Sequence, residues 1–140
     1  MAKDFVTYDE IEIGAKASFS KTISESDVYQ FAGITGDFNE LHINQVAAES
    51  SLFRSRVVHG CLADSLVSTV LGMKYPGRGT IFLEKSVSYV KPVYIGDTIT
   101  CEITAAEKRE KGRVLFDVSY RNQDGVEVIK GNALVMAPRG

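Results

Sequence analysis

The stretch Cys61-Leu62-Ala63-Asp64-Ser65-Leu66-Val67-Ser68-Thr69-Val70-Leu71-Gly72-Met73 decides the architecture. It holds no Pro and one late Gly, Gly72, so no backbone signal stops a helix inside it. Leu62, Leu66, Thr69, Val70 and Met73 share one face at helical spacing, and Ala63, Val67 and Leu71 add apolar residues elsewhere. A helix apolar on most sides is a buried helix. The spacing therefore predicts a central helix that other elements must wrap, with Cys61 as a small buried residue in it.

Downstream the pattern changes. Residues 80–90, 98–108, 113–122 and 127–137 alternate or run rich in Val, Ile, Tyr and Phe. Turn signals separate them: Pro92 with Gly96-Asp97, then Lys111-Gly112, then Asp124-Gly125, the strongest hairpin signal of the three. Upstream, residues 11–23 alternate Ala15, Ala17 and Phe19 against Lys16, Ser18 and Ser20, a strand pattern. Ser24 reads as an N-cap with Val28, Phe31 and Ala32 at helical spacing behind it, and Gly33 and Gly36 as breakers. Asn44 reads as the cap of a second short helix through Ala47, Ala48 and Leu52. One strand, a helical half and four antiparallel strands make an α+β chain. A sheet wrapped around one long helix satisfies it, because the apolar face of the sheet needs cover.

Bulk properties bound the function. A chain of 140 residues suits a single domain spanning 1–140. Its 44% hydrophobic and 24% charged residues are those of a globular protein. A net charge of −2 and a pI near 5.7 leave no electrostatic footprint for nucleic acid. No window carries the ~20 apolar residues of a membrane span, and residues 1–5 lack a signal peptide's apolar stretch. Cys61 and Cys101 lack a disulfide-scaffold spacing, so reduced thiols in the cytoplasm are expected.

The chemistry concentrates in two clusters. Gly36-Asp37-Phe38-Asn39-Glu40-Leu41-His42 puts a carboxylate and an imidazole in one polar loop. Fully extended, the five steps between them would span roughly 17 Å, so only a bent loop brings both onto one small molecule. Gly36 and Asn39 allow such bends. Imidazole exchanges protons near neutral pH, and a carboxylate beside it takes the complementary role or orients the ring. Asn39 carries a donor and an acceptor for either partner. The plainer reading is a turn built from ordinary turn formers, with a packed histidine. The second cluster, Val57-Val58-His59-Gly60-Cys61, opens the buried helix. Gly60 offers a backbone N–H where a developing oxyanion would be held, or it is merely a turn residue. Asp64 reads as a charge complementing the helix dipole, and His59 as a structural residue holding the loop. Ser65 either faces the site or bonds back to the Cys61 carbonyl.

Together these clusters resemble the MaoC-like dehydratases, and among them the R-specific enoyl-CoA hydratases. The Asp37-x-Asn39-x-Leu41-His42 signature carries the resemblance, with Val58-His59-Gly60 and the helix bearing Ser65. Pro76-Gly77-Arg78-Gly79 and the segment Lys91-Pro92-Val93-Tyr94-Ile95-Gly96-Asp97 extend it over nearly the whole chain. The resemblance implies a hot-dog fold, dimerised so that two sheets join, in a homodimer or a higher assembly of dimers. It implies hydration of a trans-2-enoyl-CoA to an (R)-3-hydroxyacyl-CoA, or the reverse. Asp37 and His42 would hold and activate the water, Asn39 support the loop, Gly60 N–H polarise the thioester carbonyl, and Ser65 line the site. No metal and no separate cofactor are implied, coenzyme A being part of the substrate; two histidines, one committed to structure, are a poor ligand set. The chain departs from the family in having Glu40 where Pro is usual. Arg54, Arg56, Lys74, Arg78, Lys85 and Lys91 are cations available to coenzyme A phosphates, and are explained as well by plain solvation. Two rival readings are a thioesterase on the same fold and a non-catalytic acyl-CoA-binding module.

Overall fold

In the computed structural model, which describes residues 3–140, five strands form one antiparallel sheet. They are β1 (Lys16–Thr22), β2 (Ile81–Tyr89), β3 (Thr98–Lys108), β4 (Arg113–Arg121) and β5 (Glu127–Met136), in the order β1-β3-β4-β5-β2. The period of two read from the sequence is the period of burial. Ile99, Cys101, Ile103 and Ala105 of β3 face inward, as do Val114, Phe116, Val118 and Tyr120 of β4. Tight turns join the meander: Lys111 and Gly112 both take left-handed dihedrals (φ 63° and 73°), and Gly125 takes φ 75°.

The inward face packs on the helix. It runs as α4 (Gly60–Asp64), α5 (Leu66–Thr69) and a wider turn over Val70–Lys74. Ser65 (φ −62°, ψ −17°) and Val70 (φ −63°, ψ −49°) keep helical dihedrals, so the path is continuous through both junctions. Ala63, Leu66, Val67, Val70 and Leu71 enter one core with Ile99, Phe116 and Val118, each large side chain stabilising by roughly 1.5–3 kcal/mol. The helix is not buried all round, which corrects the sequence reading. Cys61, Ser65 and Ser68 are exposed, and Met73 is 76% exposed. The wrap stops short because β2 is an edge strand whose Ile81, Phe82 and Leu83 are themselves exposed.

Upstream, α1 (Glu25–Thr35) starts at a reciprocal cap. The Ser24 hydroxyl accepts from Asp27 N–H (3.1 Å) and the Asp27 carboxylate accepts from Ser24 N–H (2.9 Å). That N–H, with the Lys21 ammonium, holds the Asp27 carboxyl below the usual carboxylate range. Gly33 sits inside this helix and does not break it; Gly36, in the left-handed region at φ 84°, ends it. Two further short helices follow, α2 (Glu40–Ile43) and α3 (Gln45–Glu49), capped by the side chains of Asn39 and Asn44. Leu52 lies beyond α3 and is 90% exposed, not part of its apolar face.

Two backbone ties seat this helical half over the start of the central helix. Val57 N–H donates to Leu41 O (3.0 Å) and Val58 N–H to Val93 O (2.7 Å). They clamp residues 57–58 between the α2 loop and the segment after β2.

Candidate active site

The chain reversal at Gly36 turns Asp37 back toward α2. Asp37 N–H donates to the Thr35 hydroxyl (3.2 Å), and Asn39 N–H donates to the Asp37 carboxylate (3.1 Å). The Asn39 side chain accepts from Leu41 N–H (3.0 Å) and so starts the helical turn that carries His42. Asn39 thus supports the loop from both ends, its backbone holding the acid and its side chain capping the turn under the imidazole. The bent loop brings His42 Nε2 to 3.9 Å from Asp37 Oδ2.

The other ring nitrogen fixes what that edge offers. His42 Nδ1 lies 2.7 Å from Val57 O. A carbonyl only accepts, so Nδ1 carries the hydrogen and the neutral ring presents a bare lone pair at Nε2. The His42 side chain is 13% exposed and that of Asp37 50%, so the imidazole is the inner and the carboxylate the outer member of the pair.

His59 braces both. Its ring stacks on His42 with centroids 3.8 Å apart, Phe31 packs 4.9 Å from it, and its Nε2–H donates to Asp37 O (3.0 Å). Its Nδ1 is buried without a partner. Asp37, His42 and His59 place ligand-type atoms within 4.8 Å of one another. One nitrogen of each ring is bonded to a backbone carbonyl, which leaves His42 Nε2 and His59 Nδ1 as the free donor atoms, and these are not aimed at one point. The rings are only 27° from parallel, so their in-plane lone pairs do not converge at the ~2.0–2.1 Å a zinc ion requires.

His42 opens onto a cavity of about 520 Å³, walled by Leu41, Val57, Val58, Pro92 and Ile129 among others and also lined by Gly60, Cys61 and Tyr89. Apolar walls with a few polar groups are the usual make-up of a small-molecule site. Gly60 opens α4, so the helix supplies no acceptor for its N–H. Among the described residues that N–H and the one of Cys61 meet no other acceptor. Of the six cations considered above, Lys91 lines this cavity. Arg56 is bound to Glu25 and Tyr29, Arg78 to Asp4, and Lys85 to Asp64.

Three residues stand differently from the sequence reading. Ser65 Oγ donates to Leu62 O (2.6 Å) rather than to Cys61, and its side chain is outside the cavity lining. Cys61 is exposed, and its thiol comes within 4.0 Å of the Tyr89 hydroxyl. Asp64 is buried, at 1% exposure, and bonded to Lys85 and Tyr89 of β2, so it is not a surface charge answering a dipole. One lone carboxylate in a helix otherwise uncharged up to Lys74 was the available signal, since a buried acid requires a partner.

Glu40, at the first position of α2, donates no backbone hydrogen bond among the described residues. Asn39 before it is extended (φ −55°, ψ 132°), as a residue preceding proline prefers. Glu40→Pro is therefore expected to raise stability by about 0.4–1 kcal/mol, measured as the thermal midpoint, with turnover unchanged. A lower midpoint would show that the loop needs Glu40 itself.

A sheet curled over one helix, with an acid–imidazole loop at the helix start, defines a hot-dog-fold protein equipped for proton transfer. Comparison with known proteins narrows this. The MaoC like domain profile matches residues 8–125. The (R)-specific enoyl-CoA hydratase of Rhodospirillum rubrum is 41% identical over 132 residues, 94% of this chain and 91% of that protein. The (R)-specific enoyl-CoA hydratase of Aeromonas caviae is 36% identical, covering 91% of this chain and 96% of that protein. The solved R-hydratase PhaJ1 from Pseudomonas aeruginosa, unliganded, superposes with a TM-score of 0.92 at 35% identity, over 97% of this chain and 88% of that one. The chain belongs to the MaoC-like domain family.

Proposed function

We propose that this chain is an (R)-specific enoyl-CoA hydratase, adding water to a trans-2-enoyl-CoA to give an (R)-3-hydroxyacyl-CoA, or catalysing the reverse. The observation that carries the reading is His42 Nε2, left free by the Nδ1 contact to Val57 O, at 3.9 Å from the Asp37 carboxylate, with His42 lining an apolar cavity whose wall Asp37 itself does not join. That separation is too long for a direct hydrogen bond. It suits one water bonded to both groups at ~2.8 Å, with the two bonds about 90° apart. The R stereochemistry rests on the similarity to the two hydratases.

The chemistry follows from the arrangement. The water gives an O–H proton to the Asp37–His42 unit as its oxygen bonds to C3. The C2–C3 π electrons shift toward the thioester carbonyl, and C2 takes a proton from the same unit. Base and acid are assigned to the two side chains as a unit rather than to one residue. Negative charge gathers on the thioester oxygen, where the free Gly60 N–H donates; one such donor is worth roughly 2.7–4 kcal/mol in a transition state. Coenzyme A arrives with the substrate, and Lys91 at the cavity is the cation placed to meet its phosphates.

The edge of β2, with Ile81, Phe82 and Leu83 exposed, suits pairing with a second copy across a two-fold axis. A homodimer, or a higher assembly of dimers, is the form expected in solution. No helix is long and apolar enough to cross a membrane. Two free cysteines suit the reducing cytoplasm, and burial pushes the Cys101 thiol up to about 12.

Crotonyl-CoA tests the reading directly. The expected result is loss of the conjugated enoyl absorbance without release of free thiol. Thiol release would make the protein a thioesterase. Binding with neither change, surviving loss of Asp37 and His42, would make it an acyl-CoA-binding module.

A further inference from the structure

Gly60 sits under the ring of Tyr89, a half-exposed residue whose hydroxyl end is tied to Asp64. A Cβ placed on Gly60 would lie 2.7 Å from Tyr89 Cε1, 3.0 Å from Cδ1 and 3.1 Å from Cζ. An aromatic side chain ordinarily relieves such a contact by swinging away, because its far end is mobile. Here that end is tied down: the Tyr89 hydroxyl donates to one oxygen of the Asp64 carboxylate, and the Lys85 ammonium donates to the other. The carboxylate is itself fixed, since its side chain is 2% exposed and the Tyr120 hydroxyl donates to the Asp64 carbonyl (2.6 Å). Burial and the facing carboxylate both push the Tyr89 phenol well above its usual range, so it stays a donor across the working pH range.

We propose that Asp64, Lys85 and Tyr89 form a positioning clamp that presses the Tyr89 ring onto Gly60 and holds its N–H at the angle the thioester oxygen requires. Tyr89 is then also a wall of the substrate cavity, which it lines beside Gly60 and Cys61. The clamp joins β2 to the start of the central helix, two elements whose relative position the core alone fixes loosely, since β2 is an edge strand. It rests on the reading of Gly60 as the oxyanion donor, and it adds three positioning residues, none of which exchanges a proton with substrate. Cys61, within 4.0 Å of the same hydroxyl, is a neighbour of the clamp rather than a member.

The test uses the full chain and crotonyl-CoA. Tyr89→Phe keeps the ring and leaves the Asp64–Lys85 pair intact, so no buried charge loses its cation. It is expected to lower kcat by roughly 10–100-fold, the scale of a sub-ångström to ångström misplacement at a reacting centre. KM should stay within about twofold, because an interaction made chiefly in the transition state has been weakened. The thermal midpoint should fall by only a few degrees, because the buried carboxylate loses one hydrogen bond and keeps its cation. A double-mutant cycle of Gly60→Ala with Tyr89→Ala supplies an independent readout: with the ring gone, the added methyl meets no clamped neighbour, and the two effects on kcat are expected to be strongly less than additive. Normal kcat in Tyr89→Phe, or additive effects in the cycle, would overturn the clamp while leaving the hydratase reading intact. A fall in kcat matched by a rise in KM, with a midpoint lowered by more than a few degrees, would overturn it too, reducing the trio to a stabilising contact. A wild-type protein that does not hydrate crotonyl-CoA would overturn both proposals.

Discussion

His42→Ala is expected to lower turnover of crotonyl-CoA by roughly 10²–10⁴-fold, and Asp37→Asn by a comparable factor, the range that a positioned acid or base contributes. Removing His42 deletes the bare Nε2 that faces Asp37 and leaves the Val57 carbonyl without its donor. Asp37→Asn keeps shape and the oxygen that accepts from Asn39 N–H, but replaces a negative acceptor by an amide that must also donate. Either change breaks a two-point hold on one water, so the second group is left with little to act on. The double variant should accordingly be no slower than the slower single one, as for residues that act as a unit. Stopped assays of kcat and kcat/KM on the three variants check this. Multiplying effects in the double variant would mean that the two side chains serve separate steps. Near-wild-type turnover in one single variant would remove that residue from the chemistry.

How far the sequence reaches can be judged from particular residues. The strands were legible because each is punctuated: β3 starts and stops where the alternation does, and Lys111-Gly112 and Gly125 supply the left-handed dihedrals of the turns between them. Gly33 misled because one glycine inside a helix costs only about 1 kcal/mol and is tolerated where a good cap and a buried face hold the helix; Gly36 ends the helix because the chain there goes left-handed. The open side of the central helix, with Cys61, Ser65 and Met73, was not readable, since it depends on how far five strands curl. The acid–imidazole loop was legible as a local cluster. His59 was legible as a structural residue holding the loop, but its stacking on His42 and the capture of Asp64 by Lys85 and Tyr89 join residues brought together only by the tertiary fold. Residue types identified the candidates, and packing decided which of them touch.

The attachment of β2 itself depends on a residue with no side chain. Gly131 of β5 pairs with Val118 of β4 on one side and Val87 of β2 on the other. A Cβ built there would run into the Ser86 carbonyl oxygen and lie 2.7 Å from Val87 Cα and 2.8 Å from the Ser86 carbonyl carbon. All three are backbone atoms, so no rotamer change makes room; β2 must move as a strand. Moving it also draws Lys85 and Tyr89 away from Asp64, and a buried carboxylate stripped of its partner costs a further ~3–5 kcal/mol. Set against a total stability of about 5–15 kcal/mol, Gly131→Ala is expected to lower the thermal midpoint by more than ~10 °C or to abolish soluble expression. Gly33→Ala is the matched control, because a methyl group there meets nothing within 4 Å and lies inside α1. It should raise stability by roughly 0.5–1 kcal/mol. Should Gly131→Ala melt within a few degrees of the wild type, β2 is not held against β5 by so close a backbone approach, and the clamp on Gly60 loses the strand that carries it.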